Sequence, residues 1–342
     1  MIRPHRGGGW ARPPPGRLAG GVHSGNMGDA PGQPLRGVYL RPLPDALVPA
    51  RHSAGARVRA GQLQAFLRPL QALARERLPL HGALTLSVLG TADWRRVCRY
   101  PYGFAFTRSR PTPASQAAAA GPSVDVIVPA DHPGRLLRRF DEVLLRAARA
   151  GVRPPPPGSG RSERGPTLSE APAPSGDVRE LLDLIVGHEW GHAVATLAGL
   201  RLRVTWLDEL LATAIYLAAL REVGAEPLAA RVLAWADVQA AGGDDSRRDL
   251  GAFEYPRGRL RLAQSTYFQG VFTRRAWELV AGDEREPWAF VQALHAAAAP
   301  VARPLTAAAG GRHRGDVARA LVDVEPSFRA WFATFGSDAD GA

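Results

Sequence analysis

The stretch "LIVGHEWGHAVATLAG", Leu184 to Gly199, sets two histidines four residues apart, with a glutamate directly after the first. It belongs to a longer segment, Asp177 to Gly199, whose spacing predicts a helix over 177–199. Residues three or four apart on a helix share a face, so Leu181, Leu184, His188, His192, Ala195 and Gly199 form one stripe. Asp177, with Glu180 three residues on, has the pattern of a capping box, and Gly199 reads as the stop. At about 1.5 Å per residue such a helix is a rod of roughly 35 Å. Both imidazoles then sit one turn apart on its core-facing side.

That arrangement suits a metal ion. Two neutral imidazole nitrogens on adjacent turns can close on one Zn²⁺ at about 2.0–2.1 Å each. Glu189 lies about 100° round the helix from His188, where a carboxylate can take a proton from a water whose pKa the zinc lowers to about 7. This is the HExxH pattern. Gly187 and Gly191 weaken a helix interior by ~1 kcal/mol each relative to alanine, so their presence predicts close packing or substrate approach. The competing reading is two histidines held by hydrogen bonds on a buried face. A third ligand decides between them.

Eight residues, Leu200 to Leu207, separate Gly199 from "DELLATAIYLAALREVG", and fully extended they span up to roughly 26 Å. The chain can therefore return and bring the start of a second helix, expected over 209–222, back to the histidines. Asp208 is a natural N-cap there, which turns Glu209 inward, on a face continued by Ala212 and Thr213. Sixteen residues separate His192 from Glu209. Asp208 is the alternative ligand.

"HEWGH" followed by "WLDELLA" (Trp206 to Ala212) resembles the gluzincin metallopeptidases, and within them the aminopeptidase N and leukotriene A4 hydrolase family, where a glutamate ligand stands in "WLNEGFA". The resemblance implies a zincin-like α+β fold and one Zn²⁺ per chain, with His188, His192 and Glu209 as ligands and Glu189 as general base. It also implies a peptide or protein substrate. That family's later "YxKG" tyrosine, which stabilises the oxyanion, is matched here by Tyr267 and Gly270 in "TYFQGVF", 58 residues after Glu209. Tyr255 in "FEYPRG" competes for the same role. The spacer to Glu209 is two residues shorter than the family's eighteen, Leu210 replaces its Gly and Gln269 its Lys. No "GxMEN" segment for a substrate's amino end is present. These departures narrow the implication to zinc-dependent peptide hydrolysis rather than aminopeptidase activity.

The rest of the chain sets the frame. At 342 residues and 45% hydrophobic it can bury a substantial core. Its net charge of +11 raises a nucleic-acid partner, but all 43 basic residues are arginine, lysine is absent and asparagine occurs once. That is the signature of GC-rich codons, so no nucleic acid is expected. One cysteine, Cys98, excludes an intramolecular disulfide. No apolar run of ~18 residues spans a membrane, and no apolar signal core opens the chain, which points to a cytoplasmic protein. Oligomeric state is not legible.

Residues 1–35 read as a disordered leader, with Met27 a candidate start, and 36–151 as an α/β part. Its expected elements are a helix over 62–77 kinked or split at Pro69, strands at 83–90, 102–108 and 124–130, and a helix over 134–151. A Pro/Gly-rich linker or insertion follows at 152–176. A helical catalytic part, 177–336, adds helices at 226–241, 267–281, 286–298 and 315–335 in two pieces, before a 337–342 tail. Strands first and helices later indicate an α+β fold, a small mixed sheet beside a helical region. By analogy, "VDVIVPA" is the strand beside substrate. His132 and His295 are spare polar candidates near the site, Arg274 and Arg275 candidates for a substrate carboxylate, and Trp190 and Trp206 packing residues. Two readings compete with hydrolysis: a zinc-binding but non-catalytic module of the same fold, and a basic nucleic-acid binder.

Overall fold

Alternating apolar residues in "ALTLSVL" and "SVDVIVP" build the centre of a five-stranded mixed sheet. The structure is a computed structural model that describes residues 38–97, 102–110, 122–132, 137–138, 178–242, 250–254, 262–282, 285–298 and 310–335. Its strands are β1 (Arg41–Leu43), β2 (Ala50–His52), β3 (Ala83–Leu89), β4 (Phe106–Arg110) and β5 (Ser123–Pro129), in spatial order β1-β2-β3-β5-β4. β2, β3 and β5 run parallel, while β1 and β4 are antiparallel at the edges. Leu84, Leu86 and Val88 with Val124, Val126 and Val128 turn one face into the main core. Leu89, Ile127 and Phe106 turn the other way, onto Trp94. This is the period-two division of a sheet covered on both sides.

The helices are α1 (Arg57–Arg77), α2 (Thr91–Val97), α3 (Val178–Leu197), α4 (Thr205–Glu222), α5 (Glu226–Gly242), α6 (Leu250–Glu254), α7 (Leu262–Val280), α8 (Ala289–Ala298), α9 (Gly310–Val324) and α10 (Phe328–Ala333). α1 is one element that contains Pro69, rather than two pieces. The expected 134–151 helix, the 152–176 linker, the 1–35 leader and the tail fall essentially outside the described residues, as do Asp177, Cys98 and Tyr255. β1, β2, α2 and α6 carry too little periodicity to have been expected.

α4 is the hub. Every side chain from Glu209 to Leu220 is buried, as a helix that is apolar all round must be. It packs against α3 on one side and α7 on another, and α7 packs on α5. α3 in turn lies on β4 and β5, and Trp190 donates from its buried indole nitrogen to Gln71 of α1 at 2.8 Å. One apolar cluster runs from Val48 to Phe335 and joins the sheet to the helices.

Two glycines set the α3–α4 spacing. A Cβ on Gly191 would lie 2.1 Å from the Ala212 carbonyl oxygen, and one on Gly187 would lie 2.2 Å from Cζ of Tyr216. Backbone thus meets backbone at the first, and an aromatic ring meets backbone at the second. We predict that Gly191→Ala lowers the melting temperature. The helix-propensity gain of ~1 kcal/mol is smaller than the ~1–3 kcal/mol or more of forcing a methyl into a rigid carbonyl. An unchanged or raised melting temperature in a thermal scan would show that the helices are free to move apart.

Candidate metal centre

α3 ends as its sequence indicates. Gly199 takes a left-handed φ of 71° and the Leu200 N–H donates to the Ala195 carbonyl at 2.8 Å, the six-to-one bond of a Schellman stop. The chain returns through Leu200–Val204, and α4 opens at Thr205 after an extended Val204 that makes no side-chain cap. Asp208 is therefore not the N-cap. It stands in the first turn, where a carboxylate suits the helix dipole, 3.8 Å from Arg201. The helix begins earlier than cap chemistry indicates because Trp206 and Leu207 are buried at 1% and 0% exposure. Glu209, one residue on and about 100° round, faces the histidines.

His188, His192 and Glu209 converge, with all three ligand atoms within 4.8 Å of one another. Nε2 of His188 lies 3.1 Å from Nε2 of His192 and 3.1 Å from Oε2 of Glu209, and the third edge, His192 Nε2 to Glu209 Oε2, is 3.6 Å. Tetrahedral zinc with ligands at about 2.0–2.1 Å requires donor atoms about 3.3–3.4 Å apart, so the three edges match one face of that tetrahedron.

Proton positions support the same fit. The Thr213 hydroxyl donates back to the Glu209 carbonyl at 3.1 Å. Its single proton is thereby used, so it accepts from Nδ1–H of His188 at 3.0 Å. With Nδ1–H held in this way, Nε2 of His188 faces His192 and Glu209. Gln269 of α7 donates to Oε2 of Glu209 at 2.6 Å and fixes the carboxylate from the other side.

Glu189 is buried beside the cluster, with Oε2 2.8 Å from the hydroxyl of Thr107 on β4. Burial pushes its carboxyl up to about 7; the His188 charge opposes this and that of Glu209 adds to it. Burial also opposes ionisation of Glu209, but the neighbouring His192 charge and the hydrogen bonds from both histidines outweigh it and hold that carboxyl well below the ordinary range. Burial lowers the pKa of His192. In His188 the bond to Glu209 and its charge overcome the same burial and raise the pKa.

A cavity of about 760 Å³, counting space open to solvent, adjoins the cluster between α3, α4, α5 and α7. Leu181, Leu184, Ile185, Val232 and Trp235 form an apolar wall; Ser265, Thr266 and Gln269 form a polar one. Tyr267 does not line this cavity. α7 begins at Leu262 rather than at Tyr267, so Tyr267 falls in its second turn, about 100° round from Thr266, and its ring packs on Phe268. The lining residue of "YFQG" is Gln269, and among the described residues the tyrosine that borders the cavity is Tyr216 of α4, its hydroxyl enclosed. Heptad spacing from Glu209 to Tyr216 is the sequence signal that finds it. Nothing in the sequence points to Thr107.

The other candidates lie elsewhere. His132 bonds Asp183 at 2.7 Å and Asp183 also pairs with Arg59. Arg274 pairs with Asp237, while Arg275 pairs with Glu278 and lies 4.6 Å over the Phe328 ring. His295 sits half-buried on α8, outside the cluster. Trp190 and Trp206 are fully buried packing residues. No helix among the described residues is long and apolar enough to cross a membrane. No protein-family model, curated protein or solved structure matches the chain.

The geometry predicts one zinc per chain by elemental analysis, lost in Glu209→Ala. Thr213→Val removes the acceptor that orients His188 and should weaken zinc about 10–100-fold in competition with a chromophoric chelator. Equal affinity for the Val variant would show that the hydroxyl does not orient the ring.

Proposed function

We propose that the protein is a zinc-dependent peptidase of gluzincin type with a zincin-like fold, acting on peptide or protein substrates. The observation that carries this reading is the triangle of donors, 3.1, 3.1 and 3.6 Å on its edges, with a buried carboxylate beside it and an open cavity in front. His188, His192 and Glu209 would hold the ion. Zinc so bound supplies a Lewis acid that acidifies water and polarises a carbonyl.

Glu189 handles the protons. Its carboxylate accepts one from the attacking water, whose oxygen bonds to the peptide carbon, and delivers it to the amide nitrogen as the C–N bond breaks. A carboxylic acid and an amine leave, and no other reactant is needed. Two features support this role. Burial raises the affinity of Glu189 for a proton, and the Thr107 hydroxyl, 2.7 Å from the Glu189 carbonyl and 2.8 Å from one carboxyl oxygen, fixes the side chain beside the cluster. The apolar wall of Leu181, Leu184, Ile185, Val232 and Trp235 favours substrates with an apolar side chain near the cleaved bond.

The test is Glu189→Gln, assayed on a mixed peptide library with and without a chelator. Removal of a general base costs about 10²–10⁴-fold, so hydrolysis should fall to background while zinc remains at one per chain. Retained hydrolysis in this variant would reject the mechanism. A wild-type protein that binds zinc, unfolds when it is removed and cleaves nothing would instead favour a structural metal site.

A further inference from the structure

On its α5 side the cavity is lined, among the described residues, by Val232, Trp235 and Gln239. They stand three and four positions apart, so one face of the helix carries all three. Val232 and Trp235 pack with Leu181 and Leu184 as part of the apolar wall. Gln239 ends the row half-buried, and its amide makes no hydrogen bond among the described residues. The backbone on both sides of it is pinned. A Cβ on Gly270 of α7 would lie 2.5 Å from the Ala236 carbonyl oxygen and 2.5 Å from the Ala240 nitrogen, so α5 and α7 are in close contact there and Gln239 stays at the cavity. A primary amide has two donors and an acceptor, which complement the C=O and N–H of a peptide group.

The charges around the cavity narrow what this amide meets. The chain has 43 arginines, yet none lines the cavity among the described residues. Arg231, next to Val232, pairs with Glu180, and Arg274, next to Thr273, pairs with Asp237. The lining carboxylates are Glu189 and Glu209, and the zinc reading uses both. A substrate's free carboxylate would therefore meet no cation on these walls, and its free amine no carboxylate that is not already in use. A charge taken out of water without a partner is strongly unfavourable. An uncharged peptide group avoids that penalty and is matched by the neutral side chains of Gln239, Ser265 and Thr266.

We propose that the cavity takes an internal, uncharged stretch of peptide, and that the Gln239 amide hydrogen-bonds its main chain. Cleavage then falls within a chain rather than at either of its ends. The cleavage rests on the peptidase reading, whereas the class of ligand rests on the cavity alone.

The experiment measures binding of N-acetyl-leucyl-leucine hydroxamate, and of leucyl-leucine hydroxamate with its free amine, to the zinc-loaded protein. Hydrolysis is followed on a leucine-rich hexapeptide blocked at both ends, on leucyl-leucine amide and on N-acetyl-leucyl-leucine. The acetylated hydroxamate should bind at least about tenfold more tightly than the free amine, and the blocked hexapeptide should exceed both dipeptides by at least about 100-fold in kcat/KM. Gln239→Leu, which breaks no bond within the protein, should keep one zinc and the wild-type melting temperature. It should bind the acetylated hydroxamate about tenfold more weakly and raise KM for the hexapeptide by a similar factor with kcat held. Gln239→Glu should narrow or reverse the preference against the free amine, because a carboxylate there can pair with it. Equal or tighter binding of the free amine by wild type, or faster cleavage of either dipeptide, would overturn the proposal. So would unchanged hydroxamate affinity in Gln239→Leu, loss of its zinc, or an unchanged preference in Gln239→Glu. The expected hydroxamate results with no peptide cleaved by wild type would uphold the ligand class and overturn only the peptidase reading.

Discussion

The close approach of α3 and α4 is the constraint on which the rest depends. At Gly191 the two helices meet backbone to backbone, with the Ala212 carbonyl where a side chain would begin. Side chains flanking such a contact have nowhere to go but toward each other. His188 and His192 lie on the face of α3 beside the contact, Glu209 and Thr213 on the face of α4, and their tips close to hydrogen-bonding distance. Glycine in mid-helix is unfavourable by itself, by ~1 kcal/mol at each of two positions. The burial of α4 on every side, from Glu209 to Leu220, is much larger than that and holds the helices together.

The close approach also brings buried ionisable groups together. Glu189, His192 and Glu209 are all buried, where charge without compensation is costly. The shifts pull in opposite senses: Glu189 is pushed toward its neutral form while Glu209 is held ionised. Around Glu209 the imidazole nitrogens and the carboxylate oxygen lie 3.1–3.6 Å apart, and Gln269 donates to the same carboxylate oxygen. These three atoms could hold a metal ion. Glu189 lies beside the triangle, with Oε2 2.8 Å from the Thr107 hydroxyl.

How much of this was legible in the sequence depends on whether the cause is local. The end of α3 at Gly199 was legible because a left-handed glycine and the Leu200-to-Ala195 bond are local chemistry. The partnership of His188, His192 and Glu209 followed from helical periodicity and a loop long enough to return. The start of α4 was misread, because Asp208 has cap chemistry, whereas burial of Trp206 and Leu207 decides where the helix begins. α7 was misread for the opposite reason. Gln264, Ser265 and Thr266 look like loop residues, yet they are helical and buried, with Ser265 and Thr266 facing the cavity. That extra turn carries Tyr267 off the cavity. Thr107 reaches the site through a contact between distant elements, which no local pattern encodes.

The sheet acquires its purpose from the same geometry. In the sequence, the first 120 residues carry no recognisable chemistry, and "VDVIVPA" stood as the strand that lies beside substrate. β5, which holds it, has β3 on one side and β4 on the other, so its hydrogen-bonding edges are both occupied. β4 is the edge strand, and among the described residues its outer side pairs with no further strand. β4 is also the strand that places Thr107 against Glu189. The sheet's contribution is therefore positional: β4 sets the Thr107 hydroxyl against Glu189 of α3, while β3 and β5 turn one face into the apolar core that the helices share.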